Sequence, residues 1–455
     1  MLNKTRALEI VALALKDSPA DQTEAVLMAD QTALTRFAES VIHQNMVQEE
    51  TRLVVTTVKD KKTGISSTND LSNDCIRAAV TAAYENSLLQ NPDERFVSFP
   101  TPAMAPPLTV TETVEPNTKF TPDKMAEATA QVIRMIDKSK GLSASGAFRH
   151  EIHAVAVANA LGVLQFGRFG KAELSLTASG DKDNAGYAIG YNPDPAKIDC
   201  LALARTAISK AETDVEPVTL PDGKYTVILE PPAVGQLLLF LGFMGFGGKT
   251  MMQQRSFLSG KKGELITGEN ITITDEPDNP LFGNMLFDYE GIPTRKLSII
   301  DHGRAGDGAF DSYYAAQANV APTGHALPPD NSYGPYPKNL AIAPGDKTLE
   351  QMIAAVDKGV LITHFWYINF LNPMQTMITG TTRDGTFLIE GGKIGAAVKN
   401  MRTNQSILEA FSKVRAISSN RIVYPQFSSL MLVPAMTIDE FNLMQETREE
   451  WEEKC

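Results

Sequence analysis

Cysteine, histidine and tryptophan are scarce in this 455-residue chain, and positive charge is in deficit. Cys75, Cys200 and Cys455 lie far apart and form no C-x-x-C pair. That spacing excludes a disulfide framework and suits a reducing compartment, so a cytoplasmic location is expected. Forty-two Lys and Arg stand against 54 Asp and Glu, a net charge of −12. A phosphate backbone needs a basic face, so nucleic acid is excluded as the main direct partner. Long hydrophobic runs are also missing. The one membrane-like window, Pro231–Gly248, is short for a bilayer span and holds two prolines and five glycines. It is expected to be a buried core helix, with no membrane partner. The apolar run at the N-terminus is broken by Glu9 and Lys16, with no A-x-A site after it, and is expected to be an amphipathic helix rather than a leader. No G-x-S-x-G elbow occurs.

What is present is ordinary for a globular protein, with 43% apolar and 21% charged residues. The length calls for two or three domains. In the first part, Leu8, Val11, Ala12 and Leu15 predict a helix by their spacing. Short strands are expected at Ala25–Ala29, Leu34–Phe37, Val41–Val47, Thr51–Val58 and Ile65–Thr68. A helix capped by Asp70 or Ser72 then runs to Leu89. Asn91–Pro107, with five prolines, reads as a connector. Next come a helix over Thr121–Ser139, four strands between Glu151 and Tyr191, and an amphipathic helix over Pro195–Thr213. The Pro-rich stretch Val215–Gly223 marks the main boundary. The remainder reads as largely β, with helices at Thr348–Lys358, Gln405–Val414 and, last, an acidic one at Thr437–Lys454. The expected fold class is α+β, divided into residues 1–107, 108–218 and 219–455.

The third part opens on its most informative stretch, Tyr225–Phe257. A β-branched strand, Tyr225–Leu229, is stopped by Glu230-Pro231-Pro232. A helical run from Ala233 to Met244 follows, with no charged residue between Glu230 and Lys249. Phe246–Thr250 lacks the first glycine of a phosphate loop at the required spacing. His150 and His153 stand three apart in a stretch leading into a strand. That spacing puts their rings on opposite faces rather than on one Zn²⁺. His43, His302, His325 and His364 have no second ligand beside them in sequence. Arg383-Asp384-Gly385 reads as a hairpin turn, and Phe365-Trp366-Tyr367 places aromatics on both faces of one strand.

Several stretches resemble the TldD/PmbA family, whose members are also described as modulators of DNA gyrase. They are Leu34–Asn45 (LTRFAESVIHQN), Thr68–Leu71 (TNDL), Met377–Ile394 (MITGTTRDGTFLIEGGKI) and Asn404–Leu408 (NQSIL). The resemblance implies an N-terminal antiparallel sheet with flanking helices. It also implies a curved, barrel-like, mainly antiparallel C-terminal sheet around a buried central helix. It further implies two kinds of subunit. The TldD kind is a metalloprotease with an H-E-x-x-x-H motif on that helix, and the PmbA/TldE kind lacks the motif and pairs with the first. Here Leu239, Phe240 and Met244 stand where the first His, the Glu and the second His would be, and no His lies between residues 154 and 301. Leu and Phe cannot bind Zn²⁺, and a lone Met thioether is a poor ligand for it.

The expectation is therefore a PmbA/TldE-like, non-catalytic subunit of a peptide-processing metalloprotease. It has no cofactor, no catalytic or metal-ligating residue of its own, and unfolded peptide as substrate. Its partner would be a TldD-like subunit in a heterodimer, or a second copy in a homodimer. The peptide would add to a strand edge at Val360–Phe370 or Thr376–Thr382. The alternatives are a self-sufficient hydrolase built on His302, His325, Asp301 and Asp307, and a regulatory protein-binding factor.

Overall fold

The computed structural model describes residues 2–109, 112, 120–139, 141–181, 184–212, 216–283 and 285–445. The chain first forms α1 (Lys4–Leu15), β1 (Gln22–Ala38), β2 (Val41–Lys59), β3 (Lys62–Thr68), α2 (Asn73–Leu88) and α3 (Pro122–Asp137). Then come β4 (Leu142–Asn159), β5 (Leu164–Gly180), β6 (Ala185–Asn192) and α4 (Cys200–Ala211). Beyond the second connector lie β7 (Gly223–Leu229), α5 (Pro231–Gly245), α6 (Gly248–Met252), β8 (Ile273–Asp275), β9 (Leu297–Asp301) and β10 (Arg304–Ala305). The chain closes with α7 (Ser312–Ala318), β11 (Asn339–Ile342), α8 (Leu349–Ala354), β12 (Lys358–Asn372), β13 (Met377–Glu390), β14 (Lys393–Ala397), β15 (Met401–Ser406), α9 (Ile407–Ser412), β16 (Val414–Gln426) and β17 (Ser429–Gln445).

The fold is α+β, with two sheets. The first is antiparallel in the order β3-β2-β1-β4-β5-β6 and takes strands from both sides of the Asn91–Pro107 connector. Its strands are longer than the sequence pattern suggested. Four expected short strands are merged into the two strands of the β1–β2 hairpin, and the expected strands Val163–Phe169 and Ala172–Ser179 are the single strand β5. Polar residues such as Gln31 and Glu49 interrupt the apolar pattern without interrupting the backbone ladder, which pairs them directly. The hairpin turns at Glu39-Ser40 and Asp60-Lys61 are left-handed at both central residues, matching the right-handed twist of the strands they join.

One face of this sheet is covered by helices. Ala25, Leu27, Leu53 and Val55 pack under α1 and α2, while Phe148, Leu174 and Leu176 pack under α3 and α4. The α1 face is turned about one residue from the predicted one, because Ala7, Ile10, Val11 and Ala14 are the buried set. Small residues let this helix lie close to the sheet. Gly64 does the same for α2, since a Cβ there would stand 2.1 Å from the Ala83 carbonyl oxygen. Ser72, not Asp70, caps α2 by accepting from the Cys75 N–H at 3.4 Å. Ser72→Ala is expected to lower stability by about 1 kcal/mol in chemical denaturation. An unchanged midpoint would show that this long bond contributes nothing.

The second sheet has eleven strands, in the order β10-β9-β8-β11-β17-β15-β13-β12-β7, with β14 on β13 and β16 on β17. Strand β7 pairs again with β17, so β17, β15, β13, β12 and β7 close into a ring. Closure covers the strand edges along the paired stretches, while the outer half of β12, beyond Ile362, is left without β7 beside it. The expected acidic helix over Thr437–Lys454 is corrected in its described part: Thr437–Gln445 is the end of β17, and residues 446–454 lie outside the described residues. Local composition there is acidic. The pairing of Met436–Leu443 with β7, some two hundred residues away, overrides it.

Candidate functional site

The expected strand and helix of Tyr225–Phe257 form β7 and α5. Pro231 and Pro232 occupy the first helical turn, where a missing N–H leaves nothing unpaired. Glu230 makes no side-chain cap. Its carboxylate instead receives the Lys210 ammonium at 2.5 Å, tying α4 to the start of α5. A helix apolar on all sides belongs in a core. Leu237, Leu238, Leu239 and Leu241 are fully buried among residues of β7, β12 and β17. Gly235 fits because Tyr424 lies close against it; a Cβ would meet that ring at 2.6 Å.

Leu239 and Met244 are buried, and Phe240 is half-buried. None of the three has a titratable neighbour on its own helix. Phe240 packs against Phe370 of β12 at 5.0 Å between ring centroids, and Phe243 stacks on Tyr336 at 5.3 Å. Phe427 and Tyr333 extend this aromatic cluster to the surface. Beside it the outer half of β12 exposes Trp366, Tyr367, Phe370 and Leu371. Phe365 alone of the aromatic triplet is core.

Of the two predicted peptide edges, Thr376–Thr382 is corrected. Strand β12 covers it on one side and β15 on the other. Within Val360–Phe370, residues 360–362 are flanked by β7 and β13. The outer part, from Trp366, pairs only with β13 among the described residues. The segment Arg383-Asp384-Gly385 is not a hairpin turn but a bulge inside β13. Asp384 there has a positive φ, and its Oδ2 lies 3.2 Å from His364 Nε2.

The histidines stay apart in their partnerships. His302 is exposed at a turn. His325 is buried, with Nδ1 at 2.8 Å from Thr323 Oγ1 and Nε2 at 3.1 Å from Asp275. Asp275 also accepts the Asn339 N–H at 2.7 Å, which fixes β8 to β11. Asp301 is exposed, and Asp307 is paired with Lys262. The set His302, His325, Asp301 and Asp307 is therefore not brought together. Among the described residues no three His, Cys, Asp or Glu form a group that could hold a metal ion. His150 and His153 do face opposite sides of β4. His150 is buried on the face toward the helices, and His153 meets Asp30 at 2.7 Å on the other.

Sequence reasoning missed the space between the first sheet and the second half of the chain. Two cavities lie there and share Tyr289 and Ala326 as walls. The smaller, about 130 Å³, is lined by His153, Lys171, Lys338, Asp288 and His325. Lys338 lies over the Tyr289 ring at 4.9 Å, and burial pushes its ammonium down to about 8. The larger, about 420 Å³, is lined by Glu24, Asp93, Glu290 and Asp311 with Tyr313 and Tyr314. The signal available in sequence was Glu24, a lone charge inside the β-branched and apolar run of β1.

The closed β ring around an apolar helix, joined to a helix-covered antiparallel sheet, defines a protein class, and the comparisons agree. Residues 222–445 match the profile described as PmbA/TldA metallopeptidase C-terminal domain, and residues 24–87 match PmbA/TldA metallopeptidase domain 1. The chain belongs to the TldD/PmbA family. It is 24% identical over 396 residues to a metalloprotease PmbA of Escherichia coli O157:H7, covering 81% of each chain. It is 24% identical over 231 residues to a metalloprotease of Methanothermobacter thermautotrophicus and spans 49% of that protein's length. Its fold is that of the TldE crystal structure from Thermococcus kodakarensis, with a TM-score of 0.86 at 23% identity over 96% of this chain and 99% of the other. No helix among the described residues is long and apolar enough to cross a membrane.

Proposed function

We propose that this chain is a non-catalytic, PmbA/TldE-like subunit of a TldD/TldE-type metalloprotease that processes unfolded peptides. The observation that carries this reading is α5. Leu239, Phe240 and Met244, where the family resemblance puts the metal motif, are an aliphatic, an aromatic and a thioether packed among Phe370 and the β17 core. Restoring a metal site there would require burying imidazoles in an apolar core. The relatives named metalloproteases support the metalloprotease part of this reading, and the TldE neighbour supports its fold. In this reading the chain walls a chamber beside a TldD-like partner. The peptide adds to the uncovered edge of β12 from Trp366 to Phe370, beside the aromatic cluster. Residues 1–107 and 108–218 act as one cover, with 219–455 as the body.

Affinity capture from the native host is expected to recover a TldD-like protein bearing H-E-x-x-x-H. The pure chain is expected to hold less than stoichiometric zinc and to cleave unfolded casein only after that partner is added. A stable homodimer that recovers no such protein, or peptidase activity by the chain alone, would overturn the assignment.

A further inference from the structure

The larger cavity has a chemistry that the subunit assignment does not use. Glu24 of β1 and Thr56 of β2 are directly opposite one another in the hairpin register. They point away from the helix-covered face, since their neighbours Ala25 and Val55 pack under α1 and α2. Both are at least nine-tenths buried, and both line this cavity. Glu24 Oε2 and Thr56 Oγ1 have no hydrogen-bond partner among the described residues. A buried acceptor without a donor is costly unless something else supplies one.

The other carboxyls on the wall are already held. Ser312 donates to Glu290 through its N–H at 2.8 Å and its hydroxyl at 2.7 Å. Asp311 caps α7 by accepting the Tyr314 N–H at 2.7 Å. Asp93 takes the Tyr313 hydroxyl at 2.6 Å and Arg95 at 2.9 Å. Lys249, the basic residue on this wall, donates to the Ser332 carbonyl oxygen instead of to a carboxylate. The cavity is thus acidic, with Tyr289, Tyr313 and Tyr314 as aromatic walls and one unsatisfied acceptor pair at its base. Burial, with the Asp288 charge adding to it, pushes the Glu24 carboxyl up to about 8, so without a bound cation it holds a proton at neutral pH, and a bound cation displaces that proton to turn Glu24 into an acceptor.

We propose that this cavity binds a primary ammonium group carried on a short aliphatic stem, with Glu24 and Thr56 accepting its N–H donors and the tyrosine rings packing on the stem. A metal ion is disfavoured by the spacing, because no three ligating side chains among the described residues converge. An ammonium with a stem spans wider gaps and gains from aromatic faces. The same chemistry is offered by a lysine side chain and by the α-amino end of a peptide. The site does not depend on the subunit role and stands whether or not the chain works with a partner.

The test is calorimetric titration of the whole chain with Nα-acetyl-lysine methylamide, leucinamide and the neutral Nα-acetyl-norleucine methylamide. Saturable binding of one or both ammonium probes is expected, with none for the neutral analogue. Binding of the first alone assigns a lysine side chain, and of the second alone a peptide N-terminus. Glu24→Gln is expected to weaken the binding at least about tenfold, the scale of one charge-assisted hydrogen bond. Thr56→Val is expected to weaken it less, and its melting curve shows whether the fold is kept. Failure of both ammonium probes to bind, equal binding of the neutral analogue, or unchanged binding by Glu24→Gln would each overturn the proposal. None of these outcomes bears on capture of a TldD-like partner.

Discussion

Replacing Glu24 by Gln is expected to leave stability nearly unchanged at pH 5 and to raise it by roughly 2–4 kcal/mol at pH 8. The sign follows from burial. In the fold the Glu24 carboxyl keeps its proton up to about 8, whereas in the unfolded chain it loses it near 4.5. Between these values the unfolded state binds fewer protons, so the wild type loses stability as pH rises. Its contribution is fully present below 4.5 and is lost as pH climbs toward 8. Asp288 and Asp311, both pushed up to about 6 by burial, act in the same direction, as does Glu290. His150, lowered by burial, acts oppositely as pH falls below its ordinary range. Lys338 matters only above about 8, and Asp93, held at about 2 chiefly by Arg95 and Tyr313, only in acid. The wild-type-minus-variant difference cancels most of these and isolates Glu24. Urea denaturation at the two pH values measures it. Equal stability of the two proteins at pH 8 would mean that Glu24 is ionised and solvated in the fold.

An effect of similar size but opposite sign, a loss of about 2–4 kcal/mol in the same assay, is expected from Gln236→Met on α5. Strand β7 covers β12 at Val360–Ile362, and farther along this edge of β12 has no strand partner among the described residues. Phe365 presents both of its backbone groups there. Gln236 Oε1 accepts the Phe365 N–H at 2.8 Å, and its Nε2 donates to the Phe365 carbonyl oxygen at 2.8 Å. One amide thus replaces a strand partner inside the core. Methionine keeps the volume and removes both bonds. The carbonyl oxygen retains His364 Nδ1 at 3.0 Å, so the cost falls mainly on the orphaned N–H. A loss under about 0.5 kcal/mol would show that water reaches this edge and takes the place of the amide.

The sequence carried the local features with short-range causes. Thr121 followed by Pro122 marked the start of α3, and Met125, Val132, Ile133 and Ile136 marked its buried face. The prolines after Leu229 and the uncharged run beyond them placed β7 and α5. Other features depended on distant partners. Strands β15, β16 and β17 were not anticipated, because Met401–Ser406 and Thr437–Gln445 carry too many polar residues for a β reading and become strands only through pairing with β13, β7 and each other. The Arg383–Gly385 segment has turn composition, yet a bulge opposite His364 absorbs it within one strand.

By itself, the sequence determined that α5 is an apolar helix without imidazole or carboxylate at Leu239, Phe240 and Met244, since side-chain identity alone fixes which atoms can ligate. It also determined the acidic balance and the α+β alternation. Only the tertiary structure decided which carboxyls are buried together. Glu24 is hundreds of residues from Glu290 and Asp311 in the chain, yet the three line one cavity, because the first sheet closes over the second half of the molecule. Charge burial depends on what each group faces after folding, and no local pattern records it.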